Sequence, residues 1–158
     1  MGKELLIQIA MAVIGTISFS ILFGVPRRHY AACGIIGGIG WLVYLLSLKA
    51  GCSMILSTFF AAMVLATLSR AIAFRLRTPT TLFLLCGIFP LVPGAGIYYT
   101  AYYFLMKMEE PFLQKGVETL QLAVAVTLGI GVAYSIPARI FGWKSSPPVW
   151  DNGERYGK

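Results

Sequence analysis

The sequence predicts an all-α integral membrane protein, a five-helix bundle whose fourth helix is discontinuous. Three observations carry that expectation. Of 158 residues, 58% are hydrophobic and 12% charged, with a mean hydropathy of +0.77, against roughly 25% charged in an ordinary soluble domain. Five apolar runs follow one another, each near the roughly 20 residues that carry a helix across about 30 Å of hydrocarbon. The fourth is interrupted by Pro90, Pro93, Gly94 and Gly96.

The first run, residues 5–23, follows Met1-Gly2-Lys3-Glu4 and ends at Gly24-Val25-Pro26. It is too long for a signal peptide and has no small-residue cleavage site, so it reads as a retained helix. Leu6 stands where N-myristoylation wants Ser or Thr. The second run, residues 31–48, holds Gly34 and Gly38 as a G-x-x-x-G, and Gly37 with Trp41 continues that face. Small residues at this spacing let helix backbones approach, so Gly34, Gly37, Gly38 and Trp41 are expected at a helix-packing face; the other reading is a thin wall beside a cavity.

The third run, residues 54–73, contains Arg70 and leads to Arg75 and Arg77. Thr78 is placed to cap a fourth helix with Pro79 at its first position. That fourth run covers residues 82–106 and the fifth residues 120–136. Short connections predict antiparallel neighbours in one bundle. Residues 1–143 therefore form one membrane domain and residues 144–158 a polar C-terminal tail, whose composition argues against a packed core. Tyr30, Trp41, Tyr44, Tyr98, Tyr99, Tyr102, Tyr103 and Trp143 cluster mostly near predicted helix ends, where amphipathic rings anchor at the headgroups.

A spanning helix that breaks frees N–H and C=O groups that hydrocarbon cannot satisfy, so the gap must be covered by protein or line a wet cavity. Two readings follow: a proline kink without a ligand, or a substrate site of the kind transporters build. In the second, a half-helix starting near Gly94 aims its amides into the gap, a geometry suited to a carboxylate. Pro90, Pro93, Gly94, Ala95, Gly96 and the nearby Tyr98 are then the candidate substrate-binding residues. Arg70 would supply a full charge to the same region, unless it snorkels to the headgroups.

The net charge of +7 reports topology, because Lys and Arg lie in short connections and form no aromatic-interleaved patch for nucleic acid. With five crossings, Arg27, Arg28, Arg70, Arg75, Arg77, Arg139, Lys144, Arg155 and Lys158 share one side. The positive-inside rule then puts the N-terminus outside and the C-terminus in the cytoplasm of a cell-membrane protein; a re-entrant fourth segment would break this sorting. No Asp or Glu falls inside an apolar run, and the one histidine, His29, sits at a helix boundary. Without a positioned base or a partnered nucleophile, an enzyme is not expected. Cys33, Cys52 and Cys86 have no metal-binding or disulfide spacing, and neither metal nor cofactor is expected. Ion coupling usually involves an intramembrane carboxylate, so that group is expected from another chain or from backbone carbonyls at the break.

The stretches Phe23-Gly24-Val25-Pro26-Arg27-Arg28, Cys33-Gly34 through Gly40-Trp41 and Tyr44, Arg75-Leu76-Arg77-Thr78-Pro79 and, above all, Gly87-Ile88-Phe89-Pro90-Leu91-Val92-Pro93-Gly94-Ala95-Gly96-Ile97-Tyr98 are similar to the small membrane component of the threonine/serine exporter family. The resemblance implies a five-helix half of an inverted- or pseudo-symmetric transporter. It also implies a larger partner subunit that supplies a soluble domain and the other five helices. The implied reaction is export of threonine and serine or of dicarboxylates, small carboxylate-bearing metabolites, driven by the proton motive force. Residues 93–96 would face the partner, with Gly34 and Gly38 packing within or between the halves. Cys86 and Phe74 depart from the family pattern and leave the exact substrate open. A channel-like, regulatory or assembly subunit without its own transport cycle is the alternative.

Overall fold

The computed structural model describes residues 2–136. Among them every regular element is helical: α1 Gly2–Leu22, α2 Tyr30–Lys49, α3 Met54–Leu76, α4 Thr80–Ile88, α5 Gly94–Leu105 and α6 Glu109–Ser135, with 3-10 turns at Arg27–His29 and Phe89–Leu91. The tail at 144–158, together with Arg139 and Trp143, lies outside the described residues.

Helix ends fall where the backbone can reverse. Gly24 (φ +66), Gly51 (φ +87), Arg77 (φ 51) and Lys107 (φ 56) are all left-handed. Each closes its helix in the same way: the next residue's amide reaches back five residues, as from Val25 to Ser20, Cys52 to Ser47, Thr78 to Ala73 and Met108 to Tyr103. This satisfies carbonyls that the last helical turn leaves orphaned. It also corrects the expected cap at Thr78. That residue belongs to the turn closing α3, α4 starts at Thr80 after an extended Pro79, and the Thr78 hydroxyl caps nothing. Ser53, by contrast, does cap α3, its hydroxyl accepting from the Leu56 amide at 3.4 Å.

The last helix starts well before the apolar run at 120–136. Hydropathy registers only what faces lipid or core, whereas helix formation tolerates polar residues. Glu109 and Glu110 occupy the first turn of α6, where the helix dipole favours negative charge.

α3 is the central helix and packs against α2, α4 and α6, while α1 covers α2. Lipid tails are as apolar as leucine, so close van der Waals contact holds such helices together. The sequence meets that need with small residues. Ala61, Ala62, Ala66 and Ala73 of α3 are fully buried, and a Cβ on Gly40 would stand 2.9 Å from Leu65. Gly34, Gly37 and Gly38 seat Val13, Thr16 and Ile17 of α1, so this glycine face packs within the chain. The buried hydroxyls of Thr16 and Ser20 each donate to a carbonyl four residues back, at 2.8 Å, which gives each donor a partner inside apolar surroundings.

Register fixes direction. α1, α2 and α3 alternate, but α6 runs parallel to α3: Gly129 lies on Phe59–Met63 and the end of α6 reaches Arg70. α5 returns antiparallel along α6, with Gly96 at Thr119, Thr100 at Gly116 and the Phe104 ring 5.5 Å from that of Phe112, tilted by 50°. No residue of α5 is buried. Four helices are long and apolar enough to cross a membrane, and the pair Thr80–Leu91 and Gly94–Leu105, bent by 55°, would make a fifth if it is one span. Arg27 and Arg28, which precede α2, and Arg75 and Arg77, which end α3, come to the same end of the bundle.

Candidate functional site

The break is built by residues that cannot continue a helix. Pro90 and Pro93 have no amide to donate. The Val92 amide bonds back to Phe89 at 3.2 Å, the Gly94 amide turns onto the Val92 carbonyl, and the first bond of α5 runs from Ile97 to Pro93 at 3.1 Å. The amides of Ala95 and Gly96 are therefore left at the head of α5 without an acceptor inside the helix, and no side chain caps that end. The arm before the break is held firmly. Phe89 stacks on Phe19 at 3.9 Å and lies 5.4 Å from Phe23, and Leu91 is buried in the core.

A cleft of about 330 Å³ opens in the angle between the two arms. Residues 90–96 form one wall; Trp41 and Tyr44 of α2 and Met54 and Thr58 of α3 form another. Tyr99 of α5 and Lys115, Glu118, Thr119 and Leu122 of α6 complete it. Gly40 packs on Leu65 near the midpoints of α2 and α3, so the cleft lies between the middle of the bundle and the end where α2 passes to α3.

Its polar chemistry is concentrated on α6. The Lys115 ammonium donates to Glu118 Oε2 at 2.8 Å, and the two side chains stay 36% and 42% exposed. The Trp41 indole N–H is buried without a partner. The cleft thus offers a cation, a carboxylate and the positive end of α5. It can hold a small ligand carrying a carboxylate, and an ammonium beside it.

Pro90, Pro93, Gly94, Ala95 and Gly96 come together in this cleft; Tyr98 and Arg70 do not. Tyr98 is 65% exposed and points away, because one residue turns a helix by about 100°. Tyr99, three residues after Gly96, takes the inward position instead. Arg70 belongs to the other end of the bundle. Its guanidinium donates to the carbonyl of Ala133 and, at 3.0 Å, to that of Ile136, and it lies 5.1 Å from the centre of the Tyr134 ring. A cation at the C-terminus of α6 answers the orphan carbonyls and negative dipole found there, so this arginine ties α3 to α6. Arg70→Ala is expected to cost about 2–3 kcal/mol, the worth of losing charged donors to two carbonyls. Thermal unfolding in detergent reads this, and an unchanged midpoint would contradict the tie.

Trp41 lines the cleft, whereas Gly34, Gly37 and Gly38 face α1. Lys115, Glu118 and Thr119 escaped the sequence reading because they precede the apolar run. The signal was present: positions 115, 118, 119 and 122 share one helical face, visible once the helix is extended toward Glu109.

Comparison with known proteins adds a family likeness. The profile described as "Threonine/Serine exporter, ThrE" matches residues 8–136. A Mycobacterium tuberculosis protein named "Probable threonine/serine exporter" is 25% identical over 131 residues, 83% of this chain and 24% of that protein. An uncharacterized protein of Haemophilus influenzae is 27% identical over 95 residues, 60% of this chain and 32% of that protein. The chain thus spans between a quarter and a third of the length of these relatives. No solved structure matches it.

Proposed function

Because the chain belongs to the threonine/serine exporter family, we propose that it is a membrane subunit of a secondary transporter that exports threonine and serine or dicarboxylates. It acts as a transporter subunit and not as an enzyme. The observation that carries this reading is the broken helix whose free amides, with Lys115 and Glu118, line one cleft. Transporters place such half-helix ends at their substrate carboxylates.

Five crossings are supported by the parallel course of α3 and α6. A re-entrant segment would return the chain to the side where α3 ended and make α6 antiparallel to it. With five crossings, Arg27, Arg28, Arg75 and Arg77 lie in the cytoplasm of a cell-membrane protein, the N-terminus is outside, and the cleft opens toward the outer half of the bilayer. A larger partner subunit, carrying a soluble domain and the matching helices, completes the carrier. Two features support such a partner: the greater length of the relatives and an α5 whose side chains find no buried place in this chain.

The test is efflux of radiolabelled threonine, serine and succinate from cells of the native organism with the chain present, deleted and restored. Saturable efflux that needs the chain and collapses with an uncoupler is the expected result. Equal efflux in the deletion overturns the reading, and flux that follows only the electrochemical gradient makes the chain a channel subunit.

A further inference from the structure

We propose that the arginine end of the bundle, away from the cleft, is a specific seat for the phosphate of an anionic phospholipid, built around Arg28 and Arg77. The two kinds of cation are segregated. Among the described residues Arg27, Arg28, Arg70, Arg75 and Arg77 lie at the end where α1 passes to α2 and α3 to α4, whereas Lys3, Lys49, Lys107 and Lys115 lie toward the other. A rule that counts only positive charge is blind to this division. What separates the two side chains is geometry: a guanidinium is a planar fork that meets a phosphate through two parallel N–H···O bonds, and an ammonium is a point charge.

The acids fall the other way. Glu4, Glu109, Glu110 and Glu118 all lie toward the lysine end, so no described carboxylate can pair with Arg27, Arg28, Arg75 or Arg77, and all four are exposed. Arg70 is committed to the carbonyls that end α6. The other four present their charge outward, and with five crossings they meet the cytoplasmic leaflet, whose surface is negative.

Packing turns this charge into a site. α2 and α3 run antiparallel with Gly40 against Leu65, and Arg28 and Arg77 each lie twelve residues from that contact, so they come level at the end of the bundle. Arg28 is also held in place. Its Nε donates to His29 Nε2 at 3.0 Å, and His29 is only 4% exposed, with its ring edge-on to Phe83 at 5.7 Å. That bond uses one edge of the fork and leaves both Nη groups for a phosphate. Phe83 stands in the first turn of α4, just past the turn that carries Arg77, so one buried contact ties the segments of both arginines together. Leu22, Phe23 and Leu76, close in sequence to these arginines, are exposed. The acyl chains of a lipid can cover such side chains while its phosphate stays at the arginines, whereas a free phosphate gains nothing from them.

Native mass spectrometry tests the assignment on the full chain, extracted in neutral detergent from membranes of the native organism with any subunit that accompanies it. The wild-type chain is expected to retain an anionic phospholipid and to exchange it for added phosphatidylglycerol but not for phosphatidylcholine. Arg28→Lys and Arg77→Lys keep every charge, and each is expected to weaken phosphatidylglycerol binding about tenfold, the loss of one charged hydrogen bond. His29→Phe removes the acceptor but keeps a ring against Phe83. Because His29 Nδ1 is already buried without a partner, this variant is expected to lose binding to the same extent at an unchanged melting temperature. Lys49→Ala and Lys107→Ala, which do remove charge, are expected to bind as the wild type does. Undiminished binding by the two lysine-for-arginine variants, or equal losses in Lys49→Ala and Lys107→Ala, would reduce the seat to net charge and overturn the proposal. Undiminished binding by His29→Phe overturns the positioning of Arg28. Phosphatidylcholine that binds as well as phosphatidylglycerol, inorganic phosphate that displaces the lipid at equal concentration, or a wild-type chain that retains no phospholipid each overturn the proposal as well.

Discussion

Gly129→Leu is expected to separate α6 from α3 and to cost more stability than any other single glycine replacement in the described chain. A Cβ at this position would stand 2.6 Å from the Phe59 carbonyl oxygen, 3.0 Å from Ala62 Cβ and 3.1 Å from the Met63 amide. Two of those three neighbours are backbone, which cannot swing aside. Gly37 and Gly96 are also crowded, but by the side chains of Thr16 and Thr119, which can change rotamer. Overpacking a tight contact costs about 1–3 kcal/mol even where side chains can shift, so a leucine against fixed backbone belongs at or above about 3 kcal/mol. Gly131→Leu is the control. Gly131 is two residues away on the same helix, with nothing within 4 Å, and its replacement is expected to be neutral or to gain up to about 1 kcal/mol of helix propensity. Unfolding in mixed micelles compares the two, and equal losses would refute the α3–α6 contact.

The second large effect concerns the break. The combined substitution Pro90→Leu, Pro93→Leu and Gly94→Ala is expected to reduce threonine efflux about a hundredfold while leaving the chain in the membrane at normal abundance. Restored amides at 90 and 93 can pair with carbonyls four residues back, and in hydrocarbon every such bond is strongly favoured. A continuous helix then consumes the amides of Ala95 and Gly96, which the open form presents to the cleft. Two charge-assisted hydrogen bonds at about 1.5 kcal/mol each make about 3 kcal/mol, or about a hundredfold in affinity. Undiminished efflux from this variant would reduce the prolines to a kink with no ligand.

Much of this architecture was legible in one dimension, and the reason is local. The break was readable because proline lacks a donor wherever it stands, and the end of α1 because Gly24 takes a left-handed turn that other residues resist. Arg77 and Lys107 adopt the same turn without any such signal, and Thr78 was drawn into it instead of capping α4. Tyr98 and Tyr99 illustrate a different limit. Both are aromatic and adjacent, and the rotation of α5 against α6 decides which one faces the cleft. Arg70 looked like a charge for the substrate site because it shares a hydrophobic run with nothing else ionic. Its partner, the end of α6, lies 63 residues further along the chain.

The amino-acid order by itself therefore determined that this is a chain of membrane-length helices, where one of them must break, and which glycines invite close packing. Each of those properties depends on the backbone chemistry of a residue and its few neighbours. Only the tertiary structure decided that α6 lies parallel to α3, that Arg70 closes the far end of the bundle, and that Lys115 and Glu118 stand at the break. Those outcomes depend on the register and rotation of whole helices, which close packing of small residues sets between segments that no local pattern links.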